Sequence, residues 1–312
     1  MVLPESAFRF WEFLLALGPV ERTAFDEDLN LYACGIMAVF DDPAWQPADG
    51  SDPRMHWRYY WDPPEFITFL NGEYPGEHYG LWFDDGRTCT GVLGHSPKDN
   101  SDFGFPDEGT PLEVVRAKIE NFFLHHSDDG DDSDGARVPA GYRVRLLRET
   151  LMRYETGDRP EQGREYDLRC GRGDDWYSTV DPARITTLDG AGALVTGETV
   201  LDRGPQRACE DRALTDRIRE ALTTDRPTLH ELVTKAKDRC SAGDPAEALA
   251  LGRDLHFISD DNTQPRRTSI PERERHAAEL LAMAYRALGR DNLAELTELD
   301  LRERKIPWAK PD

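Results

Sequence analysis

The stretch His56-Trp-Arg-Tyr-Tyr-Trp-Asp-Pro-Pro-Glu-Phe-Ile-Thr-Phe-Leu70 constrains the fold more than any other part of the chain. Trp57, Tyr59 and Trp61 alternate with Arg58 and Tyr60, the period-two pattern of a strand with one buried face. Asp62-Pro63-Pro64 then forces a turn, because proline fixes φ and restricts the residue before it. The reading is a central strand over 57–61 whose aromatic side chains fill a core. Stacking of a base or nucleotide is the alternative use of such a cluster. Two further strands follow, His78-Tyr-Gly-Leu-Trp-Phe83 and Thr88 to Leu93, around an Asp84-Asp85-Gly86 turn.

Helices flank these strands. Residues Pro4 to Leu17 place Ala7, Phe8, Phe10, Trp11, Leu14, Leu15 and Leu17 at helical spacing, closed by Gly18-Pro19. Leu29 to Phe40 reads as a strand or strand–turn–strand, and Asp41 to Pro53 as a loop. A helix is expected from Thr110 or Pro111 to His125, with Thr110 as N-cap and Pro111 at the first helical position. Tyr142 to Tyr154 is compatible with a helix. Short strands are expected at Glu165–Leu168, Arg184–Leu188 and Ala193–Val195. From about Cys209 only helices are expected: Asp211–Leu222, Thr228–Cys240, Pro245–Ile258, Pro271–Leu288 and Leu293–Arg302. The fold class is therefore α+β: a mostly antiparallel N-terminal sheet flanked by helices, followed by an all-α C-terminal domain. The division is set near Gly204, giving units 1–203 and 204–312, with an acidic linker at 127–135.

Composition narrows the partners. The 312 residues carry a net charge of −22. That argues against a nucleic-acid surface and against an anionic membrane. It suits a protein partner with an Arg-rich face. The five cysteines (Cys34, Cys89, Cys170, Cys209 and Cys240) form no CxxC, so neither a disulfide framework nor a structural zinc site is expected. The opening residues lack the pattern of a secretory signal, no apolar run approaches the roughly 18 residues of a membrane span, and a cytoplasmic location is expected. Arg outnumbers Lys, as in proteins of GC-rich, often bacterial, genomes.

Generic catalytic signatures are absent: no GxSxG, HExxH, GxxxxGK[ST] or GxGxxG. Gly190-Ala-Gly192 is a turn without the third glycine of a dinucleotide site. Ser127 to Gly135 lacks the glutamate that closes a calcium loop. His125 and His126 are adjacent and diverge on a helix. His56, His78 and His95 lie near three expected strands, but spacing alone does not join them. No metal and no cofactor is expected.

Several stretches resemble the histone PARylation factor family. Pro4-Glu-Ser-Ala-Phe-Arg-Phe-Trp-Glu-Phe is similar to its opening helix, PEDFxxFWxF. Ala24-Phe25, Leu29, Leu31 and Gly35 follow AFxxxLxLxxxG. His56-Trp-Arg-Tyr-Tyr-Trp-Asp-Pro-Pro-Glu-Phe66 is similar to HWRFYYDPPEF and is the most specific match. Its signature residues here, with Trp11, are His56, Trp57, Arg58, Tyr59, Asp62, Pro63, Pro64 and Phe66. Tyr79 to Asp84 resembles MGYFRD, Gly190-Ala-Gly192 the HGAGLVVP turn, and Leu249-Ala-Leu-Gly-Arg-Asp-Leu255 the LELGxDL helix.

The resemblance implies an α+β part followed by a helical part. It also implies an accessory role: the eukaryotic member, which is nuclear, docks on a poly-ADP-ribose polymerase, and its glutamate helps deprotonate an acceptor serine. A positioned carboxylate is a sensible general base for that step. Here the family's Asn-Asp-Glu-Cys-Asp pattern falls on Cys240, Ser241, Ala242, Gly243 and Asp244, so Ala242 stands at the glutamate position. The family's Tyr-Arg pair falls near Pro205-Gln206-Arg207; the tyrosine is absent and Arg207 is at best one position off. The expectation is a non-enzymatic protein that binds an ADP-ribosyltransferase or an ADP-ribosylated protein, with Arg207, Asp238 and Asp244 at the interface. Rival readings are a toxin-binding immunity protein, an enzyme using Asp238, Asp244 or Glu247, and a helical-repeat scaffold.

Overall fold

A computed structural model describes residues 1–95 except 43, 49, 60 and 73–75, and residues 109–125, 138–155, 184–195, 226–257 and 272–303. The expected linker at 127–135, His126, the strand 165–168, the boundary near Gly204, Arg207 and the helix 211–222 lie outside the described residues.

Helix α1 (Glu5–Ala16) buries Ala7, Phe10, Phe13 and Leu14, the i, i+3, i+6, i+7 face its sequence encodes. The short helix α2 (Pro19–Thr23) follows. Strand β1 is only Tyr32–Ala33. The expected strand–turn–strand to Phe40 is replaced by a 3₁₀ turn, Gly35–Met37, and helix α3 (Ala38–Asp41). Gly35 causes the change of direction: its φ is +56°, and a Cβ there would lie 2.1 Å from the Thr68 carbonyl oxygen.

The sheet is antiparallel in the order β1-β2-β3-β4, with β2 at Phe66–Asn71, β3 at His78–Trp82 and β4 at Gly91–His95. The expected strand over Trp57–Trp61 does not form. The sheet begins at Phe66, after the diproline rather than before it. Helices α4 (Pro111–His125) and α5 (Ala140–Leu151) cover the N-terminal core. Thr110 and Glu113 form a reciprocal cap at the start of α4, each side chain accepting from the other's backbone N–H at 3.4 and 2.7 Å.

The C-terminal helices are α6 (Arg226–Ser241), α7 (Ala246–Phe257), α8 (Glu272–Ala287) and α9 (Asp291–Glu303). Helix α7 is buried on every side, which explains its Ala- and Leu-rich sequence. The hairpin of β5 (Arg184–Ile185) and β6 (Ala193–Leu194) contributes Ile185, Leu188, Ala193 and Val195 to this helical core. Leu296 of α9 in turn enters the N-terminal core. Among the described residues no helix is long and apolar enough to cross a membrane.

Candidate functional site

The loop before β2 is organised by its own polar side chains. The Tyr59 backbone N–H donates to Asp62 Oδ2 at 2.8 Å. Arg58 reaches back, its guanidinium donating to the carbonyls of Phe66 and Asp62, both at 2.6 Å. A backbone N–H given to a local carboxylate is lost to a strand ladder, which is why alternation failed to make a strand here. Trp57 adopts φ +59°, a left-handed conformation that a bulky residue rarely takes. Its half-buried indole faces Tyr32, with ring centroids 5.8 Å apart.

The other oxygen of Asp62 faces two histidines. His78 Nε2 lies 2.8 Å and His95 Nδ1 3.9 Å from Asp62 Oδ1, and all three side chains are 0% exposed. His78 Nδ1 is 2.7 Å from the Gly76 carbonyl, and the Tyr59 ring stacks on His78 at 4.1 Å. Burial opposes ionisation of Asp62, yet His78, His95 and Arg58 outweigh it and hold the carboxyl below its usual range. Burial pushes the His95 imidazole down, against the pull of Asp62.

A second polar cluster joins this loop to the helices. Arg253 of α7 donates to Asp189 at 2.6 Å and to Glu65 at 3.0 Å, and its guanidinium lies 5.2 Å from the Trp82 ring. Asp254 accepts from the Leu188 N–H at 2.8 Å, and His256 Nε2 is 2.9 Å from the Asp62 carbonyl. Asp189 also shapes its own turn, accepting from the Thr187 hydroxyl and the Ala191 N–H at 2.6 and 3.0 Å. Three stretches far apart in sequence, Asp62–Phe66, Thr187–Gly192 and Leu249–Leu255, thus converge. Each overlaps a stretch singled out by resemblance.

The sequence-predicted residues divide into groups. Asp62, Pro63, Pro64 and Phe66 are buried at the convergence, with Arg58 and Tyr59 half-buried beside it. Trp11 packs against the N-terminal core. His56 does not join the other two histidines; it sits 4.6 Å from the Trp45 ring, with Nδ1 3.4 Å from the Gly35 carbonyl. Asp238 is exposed on α6, and Ala242 is exposed in the loop after it. Asp244 is paired with Arg239 at 2.5 Å and accepts from the Ala246 N–H at 3.3 Å. The convergence and the interface candidates Asp238 and Asp244 are therefore separate features.

Sequence reasoning passed over Glu65, Asp189, Arg253 and Asp254 as functional residues. The available signal was Arg253-Asp254 itself, a charged pair in the middle of an Ala- and Leu-rich helix.

Residues 1–105 match the family model described as Histone PARylation factor 1. The histone PARylation factor 1 of Danio rerio is 29% identical over 84 residues, covering 27% of this chain and 24% of that protein. That of Mus musculus is 33% identical over 87 residues, covering 27% of this chain and 25% of that protein. The chain thus matches about a quarter of the length of these curated relatives. Through residue 105, the sequence is similar to the histone PARylation factor 1 family.

Proposed function

We propose that this chain is a histone PARylation factor-like accessory protein that binds an ADP-ribosyltransferase and supplies no general base for serine. The observation that carries the second half is Ala242, an exposed alanine between α6 and α7 at the place where the resemblance puts a glutamate. The next carboxylate, Asp244, is already committed to Arg239 and to the first turn of α7. An alanine accepts no proton, and the Asp244 carboxylate is already engaged in its ion pair.

The test uses the full chain and a poly-ADP-ribose polymerase-type transferase from the same source. Complex formation is followed by sedimentation, and modified residue types by mass spectrometry. Wild type is expected to sediment with the transferase and to give little serine modification. The Ser241→Asp/Ala242→Glu variant is expected to raise it, since a placed base contributes about 10²–10⁴-fold. Strong serine modification with wild type overturns the non-catalytic reading. Absence of a complex overturns the accessory role.

A further inference from the structure

We infer that Asp62, His78 and His95 form a binding site for one divalent transition-metal ion, zinc by the chemistry of the donors. This goes beyond the accessory role and does not depend on it. Each of the three residues offers one ligating atom, and these atoms all lie within 4.8 Å of one another. Donors around a four-coordinate zinc, each about 2.0–2.2 Å from the ion, are spaced about 3.3–3.5 Å apart. The observed separations of 2.8 and 3.9 Å from Asp62 Oδ1 bracket that spacing. Small side-chain shifts admit the ion.

The hydrogen bonding points the same way. An imidazole that gives its Nδ1 hydrogen to the Gly76 carbonyl turns the lone pair of Nε2 toward the Asp62 carboxylate. Two lone pairs 2.8 Å apart repel unless a cation, either a proton or a metal ion, lies between them. A backbone carbonyl holding the far nitrogen of an imidazole is also the usual outer support of a metal-bound histidine. The Tyr59 N–H occupies only the other Asp62 oxygen, leaving Oδ1 to the histidines.

The buried charges around the site bear on the same question. Asp62, Glu65, Asp189 and Asp254 are buried carboxylates that meet in this region, and the guanidiniums placed among them are those of Arg58 and Arg253. Burying a carboxylate is costly unless it is compensated, and a cation held by Asp62 Oδ1 would add to that compensation. Imidazole and carboxylate donors with no thiolate select zinc or its borderline neighbours over calcium or magnesium. The ion would fasten the Asp62 loop to β3 and β4 together, a holding role, since all three side chains are sealed from solvent.

The test starts with the intact full chain, expressed with zinc supplied and then dialysed, its metal measured by mass spectrometry. About one equivalent of zinc is expected. X-ray absorption at the zinc edge should report two imidazoles with oxygen donors. Cobalt(II) added to the stripped protein should give visible d–d absorption. Losing an outer support weakens metal sites about 10–100-fold, so loss of a ligand in His95→Gln should weaken zinc more than about 100-fold. His56→Gln should bind as wild type. A folded wild-type protein with neither bound zinc nor a cobalt spectrum overturns the proposal and leaves a proton shared by Asp62 and His78. Zinc bound without imidazole in the absorption spectrum also overturns it, placing the ion on surface carboxylates. Both spectroscopic results come from wild type, so they decide the matter even if His95→Gln does not fold.

Discussion

Asp84 shows how a single side chain fixes a turn between strands. Its carboxylate accepts from Trp82 Nε1 at 2.9 Å and from the Thr90 hydroxyl at 3.0 Å, and it takes both Arg184 terminal nitrogens at 2.8 and 2.5 Å. Burial opposes ionisation, but Arg184, Trp82 and Thr90 outweigh it and lower the carboxyl below its ordinary value. The unfolded chain, with aspartate near ~3.9, therefore holds more protons than the folded one at pH values just below that. The stabilisation is complete above about pH 4 and is lost as pH falls through the lower folded value. Urea midpoints measured against pH should fall in that acid range for wild type. Asp84→Asn should be less stable at neutral pH and show a shallower acid slope. An unchanged slope would mean that Asp84 is not the group responsible.

At the scale of elements, the helices were legible and the aromatic loop was not. The α1 and α4 ranges follow directly from apolar spacing and from Thr110 with Pro111 at the cap, because those signals are local. Trp57 to Trp61 also carries a local signal, and it misleads. Alternation describes where side chains point, but the Asp62 carboxylate and the Arg58 guanidinium claim the backbone groups that a ladder needs. Their partners lie within a few residues, yet nothing in residue spacing reveals that they are engaged. The meeting of His78 and His95 depends on strand register, His78 opposite His95, which a single sequence does not encode visibly. Packing between α7 and α8 makes a sharper expectation. A Cβ on Gly252 would lie 2.9 Å from Leu281 Cγ and 3.1 Å from the Leu281 backbone nitrogen. Gly252→Ala gains helix propensity of up to about 1 kcal/mol but forces the helices apart, at about 1–3 kcal/mol. Net destabilisation is expected in chemical denaturation. Stabilisation would show that α8 yields readily at this point.

For the whole molecule, the question is how two hydrophobic cores behave as one. The N-terminal core and the helical core share few apolar side chains; Leu296 of α9 serves the first while Leu293 and Ala294 serve the second. A small apolar cluster of Phe66, Trp82, Leu93 and Ala191 and the polar tie of Arg253, which reaches from α7 to Glu65 on one side and Asp189 on the other, also join them. Removing one partner from a buried ionic network costs about 3–5 kcal/mol, because the remaining charges stay buried without compensation. Arg253→Met should lose about that much stability. It should also separate the unfolding of the two cores, so that near-ultraviolet signals from the N-terminal aromatics and the far-ultraviolet helical signal no longer coincide. Coincident transitions in the variant would show that the cores are coupled through apolar contacts instead.

The three-way charge arrangement around Arg253 also governs how such a sequence can drift. Glu65 lies within the family-matched residues, while Asp189 and Arg253 lie beyond them. Replacing any one of the three alone orphans a buried charge, at about 3–5 kcal/mol. Recombination that imports only the first hundred or so residues from a relative is expected to fold well only when the donor's residue at position 65 suits the recipient's arginine.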